Sequence, residues 1–193
     1  SFGERLLASS GRMSCATCYD PRFAHGPTAA LTVQVDVPFE TEFGLRAAPS
    51  IRYLDRQPPL SLAPWHGGLN TDGRADTLAA QARHPLFDPR EMDNGSADIL
   101  ARRLRASAYA PQFAALIGAT GGDASATVSL IQGALQAYQS EDAGFQPYDS
   151  KFDQVQAGRD HFSPAEQRGA QAFRDPARGH CAACHPDTDP QGR

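Results

Sequence analysis

The sequence predicts a mainly α-helical protein with long loops between its helices. Between residues 123 and 140, apolar side chains recur at helical spacing on one face. The capping box Ser163-Pro164-Ala165-Glu166 predicts the start of another helix, which should run to about Phe173. The 193 residues include 17 glycines and 15 prolines, and this composition indicates much irregular backbone.

Other segments of the chain carry weaker signals of secondary structure. Leu31 to Val37 alternates apolar and polar residues as a short strand would, and prolines interrupt the segment after it. Residues 27 to 70 are therefore expected to form a long covering loop. Residues 74 to 83 predict a helix that Pro85 ends, and Ser96 is a candidate N-cap for the next helix. The apolar face of the longest predicted helix, which is most simply core, consists of Thr127, Ile131, Ala134, Leu135 and Tyr138.

The four cysteines form two C-x-x-C pairs. One lies in Cys15-Ala16-Thr17-Cys18-Tyr19 and the other in Cys181-Ala182-Ala183-Cys184-His185. Two thiols at this spacing can bond to the two vinyl groups of one haem, and a histidine directly after the second cysteine is placed to ligate the iron. The second pair is therefore a complete c-type haem attachment motif. In the first pair, Tyr19 stands where the motif has histidine.

A zinc site, a redox dithiol and structural disulfides are the alternative explanations of these cysteines. The two pairs of a compact zinc site usually lie roughly 15–20 residues apart, whereas these pairs stand near opposite ends of the chain. A zinc site would also leave the histidine after the last cysteine without a role. Haem attachment is therefore favoured, and it is favoured more strongly for the second pair than for the first.

Charge and hydropathy argue against several other functions. The net charge is only −4 and no long run of one sign occurs, so nothing indicates binding to nucleic acid or to an anionic membrane surface. No stretch approaches the roughly 20 apolar residues of a membrane span, and residues 1–5 do not form a signal peptide. Bacterial haem attachment takes place outside the cytoplasmic membrane. The haem hypothesis therefore predicts a periplasmic protein whose signal peptide has been removed.

Several short segments accompany the two cysteine pairs in a fixed order. They are Gly11-Arg12-Met13-Ser14 before Cys15, Ala48-Pro49-Ser50, Asp72-Gly73-Arg74-Ala75-Asp76, Gln81, Pro85-Leu86, Pro89-Arg90-Glu91-Met92, and Ala165-Glu166-Gln167-Arg168-Gly169. In order and spacing, this set resembles the bacterial di-haem cytochrome c peroxidase and MauG family.

The resemblance implies two cytochrome c-like domains and two covalently bound haem c groups. Residues 1–162 would form the amino-terminal, peroxidatic haem domain, with its haem on Cys15 and Cys18. Residues 163–193 would begin a second, electron-transfer haem domain, with its haem on Cys181 and Cys184 and with His185 as an axial iron ligand. In relatives the sixth ligand of that haem comes from well after the motif, so the second domain is expected to be incomplete in this chain.

The resemblance also assigns catalytic roles in the distal pocket to Gln81, Pro85 and Glu91. Glu91 would be the acid/base, because splitting a peroxide O–O bond requires a proton to move from one oxygen to the other. Gln81 would orient peroxide or water, and Pro85 would keep the sixth iron position free of a protein ligand. The alternative is that Gln81 and Glu91 are ordinary solvated residues at a helix end.

Three positions depart from the family pattern. Tyr19 replaces the proximal histidine, so the iron would be ligated by the Tyr19 phenolate, by another side chain or by no side chain. Tyr19 is the tentative axial ligand, and catalases offer a precedent for phenolate ligation. Thr71 replaces a tryptophan that lies between the two haems in relatives. Ala47 replaces an asparagine that helps to bind a calcium ion between the haems, so calcium is doubtful here.

His25 is either a substitute ligand or a loop histidine, and His84 either tunes a proton relay or lies at the surface.

The predicted function is that of a periplasmic oxidoreductase that uses hydrogen peroxide as its oxidant. It would reduce peroxide with electrons from a small cytochrome or cupredoxin, or it would oxidise a protein or organic substrate as MauG-like proteins do. A non-catalytic electron carrier or a degenerate subunit is the first alternative. A domain held together by zinc, without haem, is the second.

Overall fold

The computed structural model describes residues 2–27, 46–63, 65–119 and 122–187. Its internal contacts divide the chain into two units, Ser1–Gln146 and Pro147–Arg193. The division into haem domains after residue 162 stays a prediction. The strand predicted at Leu31 to Val37 lies outside the described residues.

Both units are built mainly from helices, as the sequence predicts. The elements of the first unit are α1 (Cys15–Cys18), β1 (Ser61–Leu62), β2 (Trp65–His66), α2 (Leu78–Phe87), α3 (Ala97–Ala106), α4 (Ala110–Ala119) and α5 (Ala124–Glu141), with 3₁₀ helices at Pro21–Phe23, Leu54–Arg56 and Ala143–Phe145. The two short strands pair antiparallel, with Ser61 opposite His66 and Leu62 opposite Trp65. The second unit contains α6 (Lys151–Gln156), α7 (Pro164–Arg174) and a 3₁₀ helix at Cys181–Ala183.

Helix α5 forms the centre of the first unit's core, and its prediction from residues 123 to 140 is confirmed. The side chain of Asp123 caps it by accepting a hydrogen bond from the backbone N–H of Ala126. Thr127, Ile131 and Leu135 lie one helical turn apart and are all buried. Helix α5 packs against both α2 and α3, so it fixes the positions of these two helices in the core.

Helix α2 differs from its prediction at both ends. The structure begins it at Leu78, after Thr77, whose hydroxyl caps it by accepting from the Ala80 N–H at 3.0 Å. Pro85 does not end the helix but lies inside it. A proline in the last turn removes only one backbone hydrogen bond, and the Asp88 N–H still donates to the His84 carbonyl at 3.0 Å.

Side chains of α5 and a buried asparagine fix both ends of α2. The Gln132 amide donates to the carbonyl of Ala79 at 2.7 Å, which ties the start of α2 to α5. After the helix, the Nδ2 of Asn94 donates to the carbonyls of Leu7 at 2.8 Å and Leu86 at 2.7 Å. Asn94 is 1% exposed, so these bonds lie in the core, where they are costly to lose. They hold the loop that carries Glu91.

The capping motifs of the other predicted helices are confirmed. Ser96 caps α3 by accepting a hydrogen bond from the Ile99 N–H. Ser163 and Glu166 form the predicted capping box, and α7 ends at Arg174, one residue beyond the predicted end. Among the described helices, none combines the length and the apolar character needed to cross a bilayer.

Candidate haem site

The first unit contains a cavity of about 940 Å³. Its lining includes Cys18, Tyr19, Gln81 and Glu91, four residues that the sequence assigns to one site. Apolar side chains complete much of the wall, among them Met13, Ile51, Leu54 and Leu69. The volume is at the upper end of the roughly 300–1,000 Å³ of ligand cavities, so a large and mostly apolar ligand fits it.

The first cysteine pair lies on α1 at one edge of this cavity. Ser14 forms a capping box with Thr17, and the Tyr19 N–H closes the turn on the Cys15 carbonyl at 3.0 Å. One helical turn separates the two cysteines, so their thiols lie on the same side of the helix. Burial raises the pKa of Cys15 to about 11 and that of Cys18 to about 12. Both thiols are therefore protonated at neutral pH when no haem or metal is bound.

Tyr19 ends α1 and faces the cavity. Burial raises the pKa of its hydroxyl well above the ordinary value, and the negative charge of Glu91 raises it further. The Tyr19 phenol is thus protonated at neutral pH when no haem is bound. The Tyr19 side chain lines the cavity together with that of Cys18, the residue before it in the chain.

Gln81 and Glu91 reach the cavity from α2 and from the loop after it. Gln81 is 9% exposed, and Glu91 is half-buried, so neither is a freely solvated surface residue. Burial raises the pKa of Glu91 to about 7; the Asp88 charge contributes, and Arg74 opposes the effect. Glu91 can therefore hold or release a proton near neutral pH. Pro85 is half-buried in α2 and is not part of the described cavity lining, so its role stays a prediction.

The raised pKa of Glu91 predicts a pH-dependent stability. Between the ordinary pKa of 4.5 and the folded-state value of about 7, the folded protein binds a proton that the unfolded chain has released. The free energy of unfolding should therefore fall as pH rises through about 7. Between about pH 5 and pH 8, the free energy of unfolding of the wild type should fall by on the order of 1–3 kcal/mol more than that of Glu91→Gln, as measured by denaturation. If the difference in stability between the two proteins is the same at both pH values, the prediction is contradicted.

Glycines allow close backbone packing in the cavity wall around residues 67 to 73. Gly68 has a φ of +78° and lines the cavity. A Cβ at this position would overlap the carbonyl group of Gly73. The Gly68 N–H donates to the Pro58 carbonyl at 2.8 Å, which joins this turn to the preceding loop. Both the backbone conformation and the contact require glycine.

Gly68→Ala is expected to lower the free energy of unfolding by about 2 kcal/mol or more, because it adds left-handed strain and a clash with backbone. Gly133→Ala is the matched control. Gly133 lies inside α5 with open space at the Cβ position. Its replacement should raise stability by roughly 0.5–1 kcal/mol. Urea denaturation would measure both, and a neutral Gly68→Ala would contradict the expectation.

The histidines fall in different environments. His25 is 3% exposed and stacks on Phe145, with ring centroids 3.9 Å apart. It is not part of the described cavity lining, so the structure does not bring it to the site as a substitute ligand. His84 does line the cavity, and its Nε2 lies 3.0 Å from the Asp88 Oδ2. Asp88 was not predicted as a site residue, although the spacing of four residues from His84 could have indicated the pair.

The second cysteine pair lies on the 3₁₀ helix of the second unit. Cys181 and Cys184 are exposed free thiols, and His185 is exposed as well. The His185 N–H donates to the Cys181 carbonyl at 2.8 Å, and this hydrogen bond closes a turn over the motif. Both thiols and the imidazole are accessible for attachment and ligation of a haem.

Residues 2–161 match the family described as di-haem cytochrome c peroxidase. The chain belongs to this family. Its fold is accordingly the mainly helical fold of the di-haem peroxidases, and the family implies haem c as the cofactor. Thr71 and Ala47, at which the sequence departs from the family pattern, both line the described cavity.

Two curated relatives are named methylamine utilization protein MauG. The protein of Paracoccus denitrificans is 34% identical over 193 residues, which cover 95% of this chain and 49% of the relative. The protein of Methylorubrum extorquens is 35% identical over 188 residues, which cover 95% and 46%. The chain thus spans about half the length of the curated relatives that it matches.

Solved structures show the same relationship. The di-haem peroxidase BthA from Burkholderia thailandensis is 37% identical and superposes with a TM-score of 0.82, over 100% of this chain and 48% of BthA. A MauG-like protein associated with microbial copper homeostasis shares the fold, with a TM-score of 0.67, 24% identity, and coverage of 95% of this chain and 49% of that one.

Proposed function

We propose that the first unit is the peroxide-reactive domain of a c-type di-haem oxidoreductase. The observation that carries this proposal is that Cys18, Tyr19, Gln81 and Glu91 line one cavity of about 940 Å³. An attachment cysteine and a candidate axial ligand are thus combined with a carboxyl group whose pKa is about 7. Family membership and the similarity to the di-haem peroxidase BthA support the same activity.

Haem c would be held in this cavity by thioether bonds to Cys15 and Cys18, and a second haem by Cys181 and Cys184 with His185 on its iron. The haem, when bound, supplies the redox chemistry. The apolar residues of the wall would limit the access of water to the bound haem, which would strengthen the electrostatic interactions inside the site. Calcium does not enter the proposal, because Ala47 offers no side-chain oxygen.

Glu91 would move a proton between the two oxygens of a bound peroxide. Near neutral pH its carboxylate can accept the proton from one oxygen and its acid form can return it to the departing oxygen. The Gln81 amide would donate a hydrogen bond that orients peroxide beside this carboxylate. Pro85 lacks an N–H and a ligating side chain, which fits its predicted role of offering the iron no protein ligand.

Tyr19 would hold the iron of the first haem through its phenolate oxygen. The phenol would have to be deprotonated for this role, as anionic metal ligands are. Phenolate ligation occurs in catalase.

The reductant would be a small cytochrome or cupredoxin, or the oxidising equivalents would pass to a protein or organic substrate. Since haem is attached outside the cytoplasmic membrane, we place the protein in the periplasm.

Paired cysteine variants test the two attachment sites. The wild type should contain two covalent haems by pyridine haemochrome assay and intact mass. Cys15→Ser with Cys18→Ser should lose one of them, and Cys181→Ser with Cys184→Ser should lose the other, because each pair supplies both thioether bonds of one haem. Retention of both haems in either double variant would contradict the assignment of that pair.

A non-catalytic electron carrier is the second candidate function. Two observations favour it: Tyr19 replaces the usual ligand, and Thr71 lines the cavity where relatives have a redox-active tryptophan. Adding peroxide to the oxidised protein distinguishes the two functions. The enzyme should consume peroxide with a change in its visible spectrum, whereas a carrier should leave both peroxide and spectrum unchanged.

A further inference from the structure

One imidazole and two carboxyl groups converge where α2 ends. His84 is in the last turn of the helix, Asp88 comes one turn later, and Glu91 lies in the loop beyond. One ligand atom from each residue lies within 4.8 Å of the others, and the His84 Nε2 is 3.0 Å from the Asp88 Oδ2. Two ligands of a small divalent cation with bonds of about 2.1 Å stand roughly 3.0–3.4 Å apart, so this pair already has suitable spacing.

These residues lie between two cavities. Glu91 lines the large one described above, whereas His84 and Asp88 line both this cavity and a neighbouring one of about 500 Å³. The His84 side chain is 46% exposed and that of Asp88 is 16% exposed. A small ion can therefore reach the cluster from the neighbouring cavity without first crossing the space assigned to the haem.

The cluster itself carries charges that suit a cation. Asp88 and Glu91 bring two carboxyl groups within reach of one ion. Arg74 and Arg83 line the neighbouring cavity, and the Arg74 guanidinium is already bonded to the Asp72 carboxylate at 2.7 Å. A divalent ion would offset the repulsion between Asp88 and Glu91 more directly than Arg74 does.

We propose that His84, Asp88 and Glu91 form a binding site for a divalent cation of the zinc class. One imidazole nitrogen and two carboxylate oxygens are a donor set that Zn²⁺ accepts, with water in the fourth position. Ca²⁺ and Mg²⁺ prefer six or more oxygen ligands, which this cluster does not offer. The site is separate from the four cysteines and from the residues assigned to the haem iron.

Occupation of this site would regulate the enzyme. A cation held by the Glu91 carboxylate would withdraw it from proton transfer, so zinc would inhibit peroxide turnover. This inhibition rests on the proposed function, whereas the binding of zinc does not. The two statements therefore need separate measurements.

Titration of the haem-loaded protein with ZnCl₂ by calorimetry tests the binding. We expect one saturable site, with an affinity lower by about tenfold or more in His84→Ala and in Asp88→Asn, because each variant removes a ligand. Asp88→Asn preserves size and serves as the second variant if His84→Ala does not fold. His161→Ala is the matched control, since His161 is 94% exposed and its nearest carboxylate, that of Asp160, is 3.7 Å away.

Three outcomes would overturn the proposal. They are the absence of saturable binding to the wild type, equal affinities in the wild type and His84→Ala, and an equal loss in His161→Ala. The last two would mean that His84 and Asp88 are only an ion pair. The proposed function is tested separately without zinc, by the effect of Glu91→Gln on peroxide turnover. If the wild type binds zinc but Glu91→Gln consumes peroxide at the wild-type rate, the zinc site stands and only the catalytic role of Glu91 is refuted.

Discussion

Glu91→Gln is expected to slow peroxide turnover by about 10²–10⁴-fold, the usual contribution of a positioned general acid/base. The amide has nearly the shape of the carboxyl group and retains its polarity, but it cannot exchange a proton. Glu91 suits the role because it lines the cavity and because burial raises its pKa to about 7. Steady-state peroxide consumption by the haem-loaded protein is the measurement.

The pH profile provides an independent check on the same variant. Below about pH 7 the wild-type Glu91 is mostly protonated, so the rate of a step that needs the carboxylate should rise with pH through this value. Glu91→Gln should lack this rise. Glu141→Gln, at an exposed position of α5, is the matched control and should behave as the wild type. Equal rates and profiles in wild type and Glu91→Gln would remove Glu91 from the mechanism.

Ile131→Ala is expected to lower the free energy of unfolding by about 2–5 kcal/mol. Ile131 is 0% exposed and belongs to the same buried cluster as Leu86 of α2 and Leu100 of α3. Removal of three carbons there leaves a cavity that the surrounding helices fill only partly. Because α5 also holds the start of α2 through Gln132, the change should loosen the helix that carries Gln81.

Two further variants make this prediction specific. Ile131→Val removes one carbon and should cost only about 0.5–1.5 kcal/mol, so the series should be graded. Ser129→Ala changes an exposed position of the same helix and should stay within roughly 0.5 kcal/mol of the wild type. Urea denaturation of the three variants measures the series. A cost below about 1 kcal/mol for Ile131→Ala would show that Ile131 does not have the core role assigned to it.

Local signals in the sequence were sufficient for α3, α5 and α7, whereas α4 and α6 were not predicted. The caps at Ser96 and Ser163 and the apolar face around Ile131 each correspond to a helix of the structure. These signals succeed because capping and amphipathic spacing involve residues within one or two turns. The helix predicted over residues 74–83 exists as α2, but both of its ends differ from the prediction. Pro85 was treated as a helix breaker, but in the last turn it removes only one backbone hydrogen bond, which the helix tolerates.

Residue types and their spacing along the chain were enough to identify both cysteine pairs and the resemblance to the family, and that resemblance supplied the residues of the proposed distal pocket. Tertiary structure was needed to show that Gln81 and Glu91 share a cavity with Cys18 and Tyr19, and that His25 is buried in an aromatic cluster instead. It also brought Glu91 close to two further ligand atoms at the end of α2. Long-range packing between α2, α5 and the loop after α2 sets these positions and the raised pKa of Glu91, because burial depends on which distant segments cover a side chain.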